Sequence, residues 1–183
     1  MRVFIGLGSN VGDRVGNIKK AIRLLSEVVT LVQSASWYET EPVGVEGPWF
    51  INTVVEVKTD LTPQELLRVC KDIEFSLGRK GDKNKREIDL DILLWGDLIL
   101  SEKELEIPHP RLCERGFVLV PLAEIAPEVI HPRLKVTVQK LLEGLNKREK
   151  VMRYRKERDF NKHTFSSEKG CHLRGKAPDG DLL

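Results

Sequence analysis

Between residues 86 and 95 the chain alternates with a period of two: Ile88, Leu90, Ile92 and Leu94 fall on one face and Asp89, Asp91, Leu93 and Trp95 on the other, which reads as a β-strand. Residues 2–7 form a short β-favouring run, followed over 6–12 by glycines and an asparagine that read as turn chemistry. A helix comes next, with Ile18, Ala21, Ile22 and Leu25 on one stripe and Lys19, Lys20 and Arg23 outside it. Residues 28–38 read as a second strand, and Pro42, Gly44, Gly47 and Pro48 then break the pattern. In a third strand, residues 49–59, Ile51, Thr53, Val55 and Val57 alternate with Phe50, Asn52, Val54, Glu56 and Lys58. Thr62-Pro63-Gln64-Glu65 is a capping box with proline at the first helical position, opening a helix whose stripe is Leu66, Cys70, Ile73 and Leu77 and which Gly78 ends.

The order strand, helix, strand, strand, helix, strand is that of the split βαβ arrangement. It predicts an α+β, ferredoxin-like antiparallel sheet with helices on one face and the other face free for function. Residues 98–100 and 105–107 look like small strands, and Val138, Leu141, Leu142 and Leu145 mark a short helix that closes a domain spanning 1–146. Residues 147–160 read as a basic helical extension, and the apolar-poor stretch 161–183 is expected to be disordered, so 147–183 forms a separate extension.

Two aspartates on one face of an otherwise apolar strand repel one another and need a reason. A cation would supply it: same-face residues lie roughly 6.5–7 Å apart, able to bracket a metal pair, and hard oxygen ligands favour magnesium. Two solvated aspartates on an open sheet face are the other reading of this spacing. The segment 79–86 runs into this strand and is dense in Lys and Arg, as a polyphosphate site would require, although a solvated loop has the same composition. Phe50 beside Asn52 offers a ring to stack on a flat heterocycle and an amide to read its edge, although an aromatic that merely covers the sheet beside a strand-end Asn gives the same pattern more often. His109, between Pro108 and Pro110, sits in a rigid extended segment and either touches a phosphate or marks a surface turn.

At 183 residues the chain can bury a real core as one domain, and no apolar run approaches a membrane span. Its N-terminus lacks a signal-peptide cleavage pattern and its three cysteines, Cys70, Cys113 and Cys171, show no ligand spacing, so a cytoplasmic protein with reduced thiols is expected. The net charge of +2 conceals an asymmetry, because residues 147–183 hold eleven Lys and Arg against six Asp and Glu. The glycines near the N-terminus match neither a Walker motif nor a dinucleotide fingerprint, because no Lys-Ser or Lys-Thr follows them and Val11 stands where the third glycine should be.

Gly6-Leu7-Gly8-Ser9-Asn10, Tyr38-Glu39-Thr40 with Pro42, Phe50-Ile51-Asn52, Gly78-Arg79, the run 86–93, Pro108-His109-Pro110 and Arg115-Gly116-Phe117, in this order, resemble the 6-hydroxymethyl-7,8-dihydropterin pyrophosphokinases of folate biosynthesis. The resemblance covers about residues 1–145 and implies magnesium-dependent transfer of pyrophosphate from ATP to the pterin hydroxymethyl group, with release of AMP. It implies two Mg2+ ions on Asp89 and Asp91, and Arg79 and Arg86 as loop cations that close over the phosphates. ATP contacts then extend to Ile92, His109 and Arg115, and pterin contacts to Thr40, Pro42, Val43, Phe50, Asn52 and Phe117. The chain departs from the family in the loop, where Lys83-Asn84-Lys85 replaces the usual tryptophan, glycine and proline before Arg86. The expected partners are ATP and the pterin, with no nucleic acid and no membrane, in a monomer or weak homo-oligomer. A ferredoxin-like nucleic-acid module is the rival, weakened because Asp89 and Asp91 would repel a phosphate backbone; a non-catalytic ATP or pterin sensor is a third reading.

Overall fold

A computed structural model describes residues 1–43, 46–79, 85–146 and 149–154. The expected disorder of 161–183 and the centre of the 79–86 loop lie outside the described residues. The element order is β1 (Val3–Ser9), α1 (Arg14–Ser26), β2 (Thr30–Ser34), β3 (Tyr38–Thr40), β4 (Phe50–Lys58), α2 (Pro63–Ser76), β5 (Asp89–Trp95), β6 (Leu100–Ser101), β7 (Glu106–Ile107), α3 (Gly116–Ile125), α4 (Val138–Gly144) and β8 (Val151–Arg153). Six strands form one antiparallel sheet in the order β5-β1-β4-β3-β8, with β2 also paired to β4; β6 and β7 form a separate hairpin.

Local chemistry accounts for the two long helices. Asp13 caps α1 by accepting from the Gly16 N–H (2.9 Å), and Ile18, Ala21, Ile22 and Leu25 are its buried stripe. Thr62 and Glu65 close the capping box of α2, whose Leu66, Cys70 and Ile73 face inward. Both helices pack on one face of the sheet against Val3, Ile5, Leu7, Ile51, Val55, Val57, Leu90 and Ile92. Burial pushes the Cys70 thiol in this core up to about 12.

Several expectations change. Helices cover both faces rather than one: α3 and α4 bury Leu119, Leu122 and Val138 on Phe4, Val54, Leu93 and Leu94, an apolar patch that water would otherwise meet. The run 118–122 hides a helix because Pro121, inside α3, interrupts the helical pattern. Leu94 does not share a face with Ile88, Leu90 and Ile92. The β1–β5 register slips between Phe4 and Ile5, a bulge at Leu93, so Leu94 joins the second core and Trp95 the first. Strand β1 runs to Ser9, which places Gly6 and Gly8 in a strand rather than a turn. The expected second strand is two, β2 and β3, separated at Ala35–Trp37 and both paired to β4. Residues 151–153 are not helical. They form β8, which adds to the β3 edge of the main sheet across the expected boundary at 146. No helix among the described residues is long and apolar enough to cross a membrane.

Candidate active site

The half of the second sheet face that α3 leaves open carries the site. In β1, Val3, Ile5 and Leu7 point into the first core, so Gly6 and Gly8 present bare backbone to the other side. Gly8 lies between Asn52 on β4 and Asp89 on β5, and Gly6 lies between Val54 and Asp91. The glycines thus form a low floor between two walls. A Cβ on Gly8 would stand 2.5 Å from Asn52 Oδ1, so any larger residue there must displace the carboxamide. Above this floor lies a cavity of about 170 Å³.

One wall is ionic. Arg79 Nη1 lies 3.0 Å from Asp89 Oδ1, Arg86 pairs with the other oxygen of Asp89, and Arg115 Nη1 is 3.7 Å from Asp91. The Arg86 backbone is fixed by a reciprocal pair of bonds, its N–H donating to Asn10 Oδ1 (2.7 Å) and its carbonyl accepting from the Asn10 N–H (3.0 Å). Burial raises the Asp91 carboxyl above its ordinary range, the negative Asp89 beside it raises it further, and Arg115 only partly offsets them. Burial lowers Arg115, whose Nε has no hydrogen-bond partner among the described residues. Behind the wall Glu74, 2 % exposed, accepts from the Leu90 N–H (2.8 Å) and from Lys71 Nζ (3.1 Å), and pairs with Arg79. Burial lowers the Arg79 guanidinium, but Asp89 and Glu74 outweigh it and the net shift is upward. The described residues contain no group of three His, Cys, Asp or Glu able to hold a metal by themselves. Two adjacent carboxylates, one of them ionised at a cost, suit magnesium, which is bound through one or two carboxylates and completes its shell with phosphate and water.

The other wall is aromatic and amide. Phe50 and Phe117 line the cavity together with Thr40 and Asn52. Asn52 Nδ2 donates to Thr40 Oγ1 (2.7 Å), which fixes the plane of the carboxamide. The Arg115 guanidinium stands 5.4 Å from the Phe117 ring centre, a cation–π contact that joins the two walls.

Of the sequence-selected residues, Thr40, Val43, Phe50, Asn52, Arg86, Asp89, Asp91, Arg115 and Phe117 line this one cavity. Arg79 reaches it through Asp89. Pro42 adjoins the wall in sequence without lining it, and the Ile92 side chain is buried in the core on the opposite face of the sheet. His109 sits at the rim, its N–H donating to the Leu93 carbonyl (2.9 Å) and its Nδ1 accepting from the Arg111 N–H (3.1 Å). Burial, reinforced by Arg115 and Arg111, pushes the imidazole down to about 4, so the ring is neutral at pH 7 with its proton on Nε2. Sequence reasoning missed Glu41 and Arg111 in the lining, and Glu74 beneath it. Only the placement of Glu74 beside the Leu66, Cys70 and Ile73 stripe signalled its burial.

The family described as 7,8-dihydro-6-hydroxymethylpterin-pyrophosphokinase (HPPK) matches residues 4–127. The 2-amino-4-hydroxy-6-hydroxymethyldihydropteridine pyrophosphokinase of Aquifex aeolicus is 47% identical over 133 residues, covering 71% of this chain and 83% of the relative. That of Bacillus subtilis is 46% identical over 131 residues, covering 69% and 78%. The crystal structure of Plasmodium falciparum HPPK-DHPS A437G with STZ-DHP superposes with a TM-score of 0.64 over 78% of this chain and 45% of its own; at 17% identity this likeness speaks for the fold alone. With nine of the selected residues around one cavity and a family match over most of the described sheet, the chain belongs to the 7,8-dihydro-6-hydroxymethylpterin-pyrophosphokinase family.

Proposed function

We propose that this chain transfers pyrophosphate from ATP to 6-hydroxymethyl-7,8-dihydropterin, giving the pterin diphosphate and AMP in folate biosynthesis. The observation that carries the assignment is the meeting, in one cavity, of a paired-aspartate wall flanked by arginines and a wall of two phenylalanines and an oriented carboxamide. Few other reactants need both.

In this reading Phe50 and Phe117 sandwich the pterin ring and Asn52 reads its edge, helped by backbone groups near Thr40, Pro42 and Val43. Asp89 and Asp91 would hold magnesium, two ions on this reading, which would supply neutralisation of the ATP phosphates. Arg86, Arg79 and Arg115 carry the forks that take phosphate oxygens in pairs and stabilise charge as it moves to the leaving AMP. His109, neutral, offers its Nε2–H to a phosphate oxygen without adding charge, and Ile92 contributes through its backbone. The transfer then rests on positioning and electrostatics, with no covalent enzyme intermediate. The core is read as a ferredoxin-like split βαβ unit, supported by the order β5-β1-β4 with β2 on β4, and the catalytic unit as residues 1–146 with 147–183 as an extension that lends the sheet its last strand. The cavity is lined by residues of one chain, which supports action as a monomer or weak homo-oligomer; the cytoplasm is the compartment this reading assigns.

AMP release from ATP and magnesium, measured with and without the pterin in the wild type and in Asp89→Ala and Asp91→Ala proteins, tests the reading. Pterin-dependent AMP that disappears in both variants is expected. A folded wild type that binds both ligands and releases no AMP would refute catalysis and leave a sensor.

A further inference from the structure

The segment that follows α4 ties together both walls of the pterin side. Helix α3 begins at Gly116, between Arg115 and Phe117, and its N-cap residue Arg115 makes no side-chain capping bond. The missing cap arrives from a distant part of the chain: Glu149 Oε2 accepts from the Gly116 N–H at 2.7 Å. A carboxylate at a helix N-terminus satisfies an orphan donor and complements the helix dipole. The fit leaves no slack, since a Cβ on Gly116 would lie 3.0 Å from Glu149 Oε2, 3.3 Å from Leu145 Cδ2 and 3.4 Å from Val151 Cγ2.

The same segment also holds the β3 side of the aromatic and amide wall. Strand β8 pairs with β3, setting Val151 against Thr40 and Met152 against Glu39. The Lys150 N–H donates to Glu41 Oε1 at 3.0 Å, and the Tyr154 N–H donates to the Trp37 carbonyl at 2.8 Å. Thr40 in turn accepts the bond that orients Asn52, and Thr40 and Glu41 both line the cavity.

We infer that residues 149–154, which lie beyond the family match at 4–127, act as a clasp that positions Thr40 and Asn52 on one side of the pterin and Phe117 on the other, with Glu149 as its positioning residue. Neither Glu149 nor β8 lines the cavity, so the effect is exerted through the walls. The clasp bears on the pterin more than on ATP because, of the residues read as phosphate contacts, only Arg115 adjoins it, while Asp89, Arg79 and Arg86 are held by β5, Glu74 and Asn10, which it does not touch. The inference rests on the pterin reading of the cavity.

Three variants of the full chain test it: Glu149→Ala, which uncaps Gly116; Glu149→Gln, whose amide oxygen can still accept; and Met152→Pro, which interrupts β8 at a half-exposed position. Steady-state AMP release gives both KM values. Losing the cap on Gly116, or a ladder bond of β8, predicts a pterin KM about tenfold higher in Glu149→Ala and Met152→Pro, an ATP KM changed by no more than about threefold, and Glu149→Gln near wild type because its amide oxygen keeps the cap. Hydrogen exchange at residues 38–41 and 115–118 is expected to quicken in the first two variants. Equal rises in both KM values, or unchanged exchange in those two segments, would overturn the clasp. A wild type that released no pterin-dependent AMP would instead overturn the functional reading, while the exchange comparison would still decide whether Glu149 and β8 hold the walls.

Discussion

Gly8→Ala is the sharpest test of how the cavity floor is built. The added methyl would meet Asn52 Oδ1 at 2.5 Å, so the carboxamide must retreat by about 0.9 Å to reach an ordinary contact. Because Gly8 stands on β1 and Thr40 on β3, on opposite sides of β4, that retreat drives the carboxamide toward Thr40 and forces it to turn out of line with its 2.7 Å bond to Thr40 Oγ1. Asn52 is 6 % exposed, so the lost bond is not replaced by water. Overpacking costs about 1–3 kcal/mol and the buried hydrogen bond about 0.5–1.5 kcal/mol, giving a destabilisation of roughly 2–3 kcal/mol. In a chain of this size that lowers Tm by about 5–10 °C. Urea denaturation and a pterin titration followed by fluorescence read the two consequences separately, and pterin affinity should fall about tenfold or more because the edge-reading amide has turned. Gly6→Ala is the control: its Cβ would meet Leu93 at 3.4 Å, an ordinary contact, so the fold should lose less than about 1 kcal/mol. A Gly8→Ala protein with an unchanged midpoint and unchanged pterin affinity would refute the argument that the backbone of β1 makes room for Asn52.

The remaining predictions concern charge. Asp91 has a raised carboxyl pKa, so its folded form favours the proton and its ionisation opposes folding as pH rises through the raised value. Asp91→Asn should therefore stabilise the ligand-free protein at pH 7 while abolishing AMP release; the gain stays below about 1 kcal/mol because the side chain is 37% exposed and screened. In the wild type, protons compete with the cation at Asp91, so the magnesium concentration needed for half-maximal activity should rise as pH falls. His109, depressed to about 4, contributes stability that is complete above the ordinary histidine range and is lost as pH falls from about 6.5 to about 4; an NMR titration should find its ring neutral at pH 6. Glu74→Ala should cost about 3 kcal/mol in urea denaturation, because it orphans the Leu90 N–H and leaves Arg79 partly unpaired, and Glu74→Gln should recover part of this.

Local signals in the sequence survived folding and non-local ones did not. The Ile18, Ala21, Ile22 and Leu25 stripe and the Thr62–Glu65 capping box are written within one or two turns of helix, and both stand as read. The alternation that puts Asp89 with Asp91, and Phe50 with Asn52, also needs no partner to be visible, which is why these four were legible from the residues alone, while Thr40, Val43, Arg115 and Phe117 came from the family resemblance. The bulge at Leu93 was not. It adds one residue relative to the neighbouring strand, so the faces of Leu94 and Trp95 depend on a register that only β1 defines. Likewise β8 is three residues in a basic stretch, with Met152 and Arg153 exposed, and becomes a strand only because β3 has an open edge. Arg111 and Glu41 enter the lining from connections whose paths are set by the sheet and α3, and their own neighbours carry no period to announce them.

The resting charge pattern bears on how the proposed substrates must arrive. Each acidic group of the wall already has a cationic partner: Asp89 is held by Arg79 and Arg86, Asp91 faces Arg115, and Glu74 holds Arg79 and Lys71. A free polyphosphate reaching this wall would gain the arginines only by stripping them from the aspartates and leaving two carboxylates beside its own charge. A free magnesium ion would gain the aspartates only by taking the carboxylate partners of Arg86 and Arg115 and leaving Arg79 to Glu74 alone. Both losses fall in a half-buried site, where an unpaired charge is costly. If phosphate and magnesium entered together, Arg79, Arg86 and Arg115 could turn to phosphate while Asp89 and Asp91 held the metal, so each charge would keep a partner. On the proposed reading, the wall would therefore favour the metal–nucleotide complex over either component.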